Sequence, residues 1–198
     1  LISRKTVSLK YPLGAKVGQC CGGSVDILFE PLCCEPRLYI FGAGHVGQAV
    51  TRVMAETEFE VHLIDERTDW LRSERVAPGT RLHEESWDLF CDQALWHPEL
   101  TFVVIMTHQH DLDQEILSAL LKRKRAYLGL IGSQTKWRKF RERLSARGAS
   151  IADLDEVECP IGIPCGGGKA PGDIAISFSA GLLKHLNRAQ ECQPAIAL

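Results

Sequence analysis

The segment Arg37-Leu38-Tyr39-Ile40-Phe41-Gly42-Ala43-Gly44-His45-Val46-Gly47 runs an apolar strand straight into a G-x-G-x-x-G turn, and an amphipathic helical pattern follows it. Such a unit lifts backbone amides and the positive end of a helix toward an anion, above all a phosphate. Gly42 serves the tight turn, Gly44 removes the side chain that would block a phosphate, and Gly47 lets the helix pack close to the strand. A second strand pattern ends on Asp65, 23 positions past Gly42, where an acceptor for a ribose 2′-hydroxyl belongs. Gly42, Gly44, Gly47 and Asp65 are therefore expected to bind a nucleotide-shaped cofactor. The bland alternative is a glycine turn that only lets strand and helix pack. His45 joins the candidate set because the first turn of a helix disfavours imidazolium while leaving a ring N–H free to meet a phosphate.

With 198 residues, 45% hydrophobic and 24% charged, the chain has material for one sizeable core or one core with an appendage. A formal net charge of -2 argues against a broad nucleic-acid surface, and no apolar run approaches the roughly 20 residues that cross a bilayer. Neither nucleic acid nor membrane is expected as a partner. The basic runs Lys122 to Arg125 and Lys136 to Arg143 read as solvated helix faces, since no exposed aromatics interleave them. Eight cysteines include the adjacent pairs Cys20-Cys21 and Cys33-Cys34, whose side chains point apart and suit a disulfide framework poorly. No C-x-x-C occurs, so free thiols in a reducing cytoplasm are expected.

From Arg37 onward the pattern alternates strand and helix, which predicts a doubly wound α/β fold with a parallel sheet, Rossmann-like in class. Strands are expected at 38–42, 60–65, 80–83, 102–107, 126–131 and 160–163. Helices are expected at 45–56, 112–124, 134–147, and from a cap at Asp173 to about Asn187. Residues 1–35 read as β structure, Thr6 to Leu9 and Ser24 to Phe29, too short for a complete domain. They are expected to be the end of a truncated, β-rich N-terminal module, the chain starting at Leu1 inside a longer gene product. The Rossmann-like domain would then span 36–192, with 193–198 as a tail.

Ligands of open α/β sheets collect beyond the carboxyl ends of the strands, so the loops there hold the other candidates. Thr107-His108-Gln109-His110-Asp111-Leu112-Asp113 is the densest polar cluster, and Thr107, His108 and His110 are expected to face a ligand. The run is similar to the H-x-H-x-D-H metal box of metallo-β-lactamase-like hydrolases, but Leu112 stands where that box needs an aspartate. Ser133 and Lys136 add a hydroxyl and a cation at another helix start, suited to anionic oxygens or, alternatively, to a capping serine with a solvated lysine. Cys20-Cys21-Gly22-Gly23 admits two readings: thiolates that approach a soft metal or handle sulfur, or small apolar residues in a core.

Taken in order, Gly18-Gln19-Cys20-Cys21-Gly22-Gly23, Phe41-Gly42-Ala43-Gly44-His45-Val46-Gly47, Asp65, Thr107-His108-Gln109-His110, Gly129-Leu130-Ile131-Gly132-Ser133 and Pro160-Ile161-Gly162-Ile163 resemble the xanthine dehydrogenase accessory factor family, XdhC/CoxI. That resemblance covers nearly the whole chain. It implies a cytoplasmic, homodimeric maturation factor, not an enzyme. Such a factor binds molybdenum cofactor, as molybdopterin or its dinucleotide form, and protects it while a cysteine desulfurase installs the sulfido ligand. It then delivers the cofactor to apo-xanthine dehydrogenase or a related molybdenum hydroxylase. On the same resemblance Cys20 and Cys21 would approach the molybdenum, while the loop 164–168, with an extra cysteine and three glycines, departs from the usual pattern. Two rivals use the same fold: an NAD(P)-dependent oxidoreductase with Asp65 on the ribose and His108 or Lys136 in proton transfer, and a nucleotide sensor that controls association with a partner.

Overall fold

A computed structural model describes residues 6–13, 23–30, 35–164 and 168–191. Cys20 and Cys21 lie outside these described residues. The chain divides into two compact units, Leu1–Glu35 and Pro36–Leu198. In the first, β1 (Val7–Leu13) pairs antiparallel with β2 (Gly23–Phe29), from Val7 opposite Phe29 to Leu13 opposite Gly23. Leu9, Tyr11, Ile27 and Phe29 of this ribbon are exposed.

The second unit is a six-stranded parallel sheet in the order β5-β4-β3-β6-β7-β8, made of β3 (Arg37–Phe41), β4 (Glu60–Ile64), β5 (Arg81–His83), β6 (Thr101–Ile105), β7 (Tyr127–Leu130) and β8 (Val157–Glu158). Strand order reverses between β3 and β6, which opens a crevice at their carboxyl ends. Successive residues of a strand point to opposite faces, and both faces here are covered, so β3 and β6 are apolar throughout. Leu38, Ile40, Phe102 and Val104 pack toward α1 (His45–Met54) and α7 (Pro171–Glu191). Tyr39, Phe41, Val103 and Ile105 pack toward α3 (Trp87–Gln93), α4 (His110–Leu120) and α5 (Gln134–Ala146). The short helices α2 (Thr68–Leu71) and α6 (Ile151–Asp155) complete the described elements. No helix among the described residues is long and apolar enough to cross a membrane.

The expected strand at 160–163 is not formed. Only Val157 and Glu158 pair with β7, at Leu128 and Gly129, and the chain then leaves the sheet. Pro160 has no N–H for a ladder, the Gly162 N–H donates to the Glu158 carboxylate at 3.0 Å, and the Ile163 N–H donates to the Ser177 carbonyl of α7 at 3.3 Å. The last helix begins at Pro171, whose missing N–H costs nothing in a first turn, and Asp173 lies inside that turn instead of capping it. Helix α4 likewise starts at His110, two residues ahead of its apolar stripe, because Gln109 is the last extended residue.

Two glycines set the distance between α1 and the sheet. Gly42 has φ of 115°, a backbone region that side chains disfavour, and a Cβ there would strike the Met106 carbonyl. A Cβ on Gly47 would run into the carbonyl oxygen of Gly42, so helix and turn are in direct backbone contact. Gly47→Ala is expected to destabilise the domain by about 1–3 kcal/mol through overpacking, measured as a lowered urea midpoint with an unchanged m-value.

Candidate cofactor site

The turn between β3 and α1 is held from below and left open above. The Gly42 N–H donates to the Ile64 carbonyl at 2.9 Å, and the Ala43 N–H donates to Asp65 Oδ2 at 2.8 Å. Gly44 differs from its two partner glycines: it has φ of -65°, suited to any residue, and an added Cβ would meet nothing within 4 Å. It is also the N-cap of α1, where it offers no side chain to the first-turn amides, and that turn carries no acid. The other long helices starting at this edge are compensated locally. Ser133 caps α5 by accepting from the Lys136 N–H at 3.2 Å, and α4 holds Asp111 and Asp113 in its first turn. Among the described residues, Gly44 thus leaves open amides and a positive dipole end without a local acidic or capping partner, a geometry suited to an anion.

Asp65 sits at the expected strand end, but its lone pairs are taken. Oδ2 accepts from Ala43 N and from Arg67 Nη2 at 2.7 Å, and Oδ1 accepts from Arg67 N at 3.0 Å and Arg67 Nε at 2.8 Å. Four donors fill a carboxylate's acceptor capacity, leaving none for a ribose hydroxyl. Burial works to raise the Asp65 pKa, yet the hydrogen bonds from Arg67 and Ala43 outweigh it and hold the carboxyl below its ordinary value. The guanidinium of Arg67 lies 5.1 Å over the Trp70 ring, and exposed His45 meets the edge of that ring at 5.0 Å. Arg67 and Trp70, which no motif announced, therefore form the wall of the site next to the turn.

Between the ends of β4 and β6 lies a slot of about 60 Å³ whose lining includes Gly42, Asp65, Arg67, Glu85, Thr107 and His108. His108 and His110 are exposed on its rim and on the first turn of α4. Thr107 turns inward: its N–H donates to Asp113 Oδ1 at 3.0 Å, and its hydroxyl lies 2.6 Å from the same oxygen. Asp113 is fully buried and takes Lys136 Nζ at 2.6 Å on its other oxygen. Lys136 also donates to the Ile131 carbonyl at 2.9 Å. The cation expected at the ligand is thus an internal brace joining the loops after β6 and β7, and Ser133 is occupied as a cap. Among the described residues no group of three or more His, Cys, Asp or Glu is arranged to hold a metal ion. Cys91 and Cys159 are free thiols, and burial pushes their pKa values to about 12 and about 11, so both are inert near neutrality.

The model of the XdhC Rossmann domain matches residues 38–182, from β3 through most of α7. This chain belongs to the XdhC family. It is 32% identical over 174 residues to the uncharacterized protein YqeB of Escherichia coli (strain K12), across 87% of this chain and 31% of that protein. It is 25% identical over 154 residues to a probable subunit of xanthine dehydrogenase from Bacillus subtilis (strain 168), across 78% of this chain and 44% of that one. The crystal structure of a xanthine dehydrogenase from Bacillus halodurans superposes with a TM-score of 0.69 at 26% identity, covering 88% of this chain and 47% of the other. The chain thus spans under half the length of each of these relatives. The matched XdhC domain contains the glycine turn, the Asp65–Arg67 pair and the Asp113–Lys136 brace.

Two substitutions separate bracing from binding. Asp113→Ala leaves an ammonium buried without its counter-ion and is expected to cost about 3–5 kcal/mol of stability in chemical denaturation. Asp65→Asn should cost about 2 kcal/mol at pH 7 by weakening charge-assisted hydrogen bonds. The Asp65 contribution is present above the unfolded carboxylate pKa and lost as pH falls through the depressed folded value. The Asn variant should therefore lose less stability than the wild type on acidification from pH 5 to pH 3, read as Tm against pH.

Proposed function

We propose that this XdhC-family chain is an accessory carrier for xanthine dehydrogenase, binding molybdenum cofactor and taking no part in redox turnover. The phosphorylated tail of the pterin, or the pyrophosphate of its dinucleotide form, is received by the amides at Gly44 and the first turn of α1. The observation that carries this role is the empty space above Gly44 at an uncapped helix start, beside two glycines whose Cβ space is filled by backbone. Arg67, held on Asp65 and stacked on Trp70, forms the adjacent wall, and His45 supplies a ring nitrogen at the rim. When bound, the cofactor contributes the molybdenum centre that a partner cysteine desulfurase modifies. The chain's own residues bind the anionic tail. Cys20 and Cys21 belong to this role by sequence, as groups that approach the metal end. Apo-xanthine dehydrogenase or a related hydroxylase receives the cofactor, and the carrier works in the cytoplasm as a homodimer. The names of the relatives from Bacillus support this assignment.

An NAD(P)-dependent oxidoreductase is favoured by one observation, the strand order, which is that of dinucleotide-binding sheets. The four donors already on Asp65 weigh against it, since an adenosine ribose would have to displace Arg67. Gly44→Ala distinguishes binding from folding. The methyl points into open space, so stability should change by less than about 1 kcal/mol, while affinity for molybdenum cofactor should fall by tenfold or more, about 1.4 kcal/mol. Equilibrium titration of wild type and variant with molybdenum cofactor, NAD and NADP provides the measurement. Tight NAD(P) binding with hydride transfer, or cofactor binding indifferent to Gly44→Ala, would overturn the carrier role.

A further inference from the structure

On the face of the sheet that carries Tyr39, four titratable side chains from β4, β5 and the loop after it form a line. His62 Nδ1 and His83 Nε2 are 2.9 Å apart, with the rings inclined by 14°. At one end His62 Nε2, which is buried and makes no hydrogen bond, faces Glu60 Oε2 at 3.5 Å. At the other, His83 Nδ1 faces Glu85 Oε1 at 3.3 Å. The parallel register, which sets His62 opposite Arg81 and Ile64 opposite His83, puts the two histidines on one face as diagonal neighbours. This line runs along a cleft of about 380 Å³ between the sheet and α3. Glu85 belongs to the lining of that cleft and also to the lining of the slot beside Gly42 and Asp65. The donors do not converge on a point, because each carboxylate lies on the outer nitrogen of its histidine. A shared metal ion is therefore not what the geometry suits.

Proton counting shows what it does suit. With both carboxylates ionised, an acceptor faces each outer ring nitrogen and the rings share one hydrogen bond between them, so the line is best satisfied by three hydrogens: toward Glu60 on His62 Nε2, between the rings, and toward Glu85 on His83 Nδ1. Three ring hydrogens on two imidazoles make one neutral ring and one imidazolium. Glu60 is already compensated by Arg37 Nε at 2.9 Å and Arg81 Nε at 2.5 Å, whereas the carboxylate at the other end of the line, Glu85, faces His83. The remaining groups packed on the line are Tyr39, edge-on to His62 at 5.0 Å, and Phe90, edge-on to His83 at 4.7 Å, with Cys91 of α3 in the same core.

We propose that Glu60, His62, His83 and Glu85 form a proton-holding chain that keeps one excess proton on the histidine pair and so sets the charge of the slot wall at Glu85. The proton arrives from solvent in the cleft and rests on His83, where it neutralises Glu85. Once it leaves, Glu85 faces the slot as an uncompensated anion and repels an anionic ligand. Burial, reinforced by the neighbouring His83 and Arg81 against the opposing pull of Glu60, holds the His62 pKa down at about 4, so His62 itself stays neutral near neutrality. Only the relevance of the slot to the cofactor, through the Gly42, Asp65 and Arg67 that line it beside the proposed anion site, rests on the carrier role above; the proton chain stands on its own geometry.

The test is side-chain NMR of the ¹⁵N-labelled protein from pH 5 to pH 9, with the signals assigned through His62→Gln and His83→Gln. At pH 7, His83 should be doubly protonated and His62 a neutral Nε2–H tautomer. Glu85→Gln, a substitution at a partly exposed residue, should lower the His83 midpoint by roughly one pH unit or more and leave the His62 tautomer in place. A neutral His83 at pH 7, or a His83 midpoint indifferent to Glu85→Gln, would overturn the chain. The wild-type titration decides the first point even if a variant fails to fold. Molybdenum-cofactor titrations of the same wild-type samples separate the two claims: absence of binding at every pH strikes the carrier role alone, while the histidine spectra decide the proton chain.

Discussion

The contact between the carbonyl of Gly42 and the backbone of Gly47 governs the architecture. It lets α1 start directly at the end of the central strand and lie against the sheet with no side chain between them. That close approach points the first-turn amides of α1 out of the crevice between β3 and β6. It also gives α7 a flat partner in α1 on the same face. Had either glycine carried a Cβ, helix and strand would be pushed apart and the turn between them would lose its shape.

Around that edge, charge is distributed with a clear division of labour. Asp65 with Arg67 and Asp113 with Lys136 are internally satisfied pairs that fasten the loops after β4, β6 and β7. Buried pairs of this kind contribute little net stability over apolar replacements, but each member is costly to orphan, so they hold loop positions firmly. Helix α1 has neither a side-chain cap nor an acid in its first turn, so its first-turn amides and dipole are left uncompensated. The histidine pair on the sheet face adds a second kind of electrostatic element, lined up between Glu60 and the Glu85 that it shares with the slot.

Much of the frame was legible from residue spacing. The continuous apolar runs of β3 and β6, the turn glycines and the stripes of α1, α4 and α5 were all readable, because burial on both sheet faces and on one helix face leaves a periodic record. Residues 160–163 misled, since an apolar stretch beside a proline looks like a strand while its amides are in fact taken by Glu158 and Ser177. The short helices α2, α3 and α6 span too few turns to print a period. Asp113 was the legible clue that went unused: an acid within the apolar stripe of an amphipathic helix calls for a buried cation.

The amino-acid sequence by itself determined the class of fold, the position of the glycine turn and the distinct steric tasks of its glycines, because these follow from local spacing and backbone sterics. Only the tertiary structure decided that Lys136 braces Asp113, that Arg67 fills Asp65, and that His62 meets His83. The physical reason is one of distance along the chain. These side chains acquire their charges and roles from partners brought together by the parallel register and the loops of the sheet, and no local pattern encodes which polar group will face which.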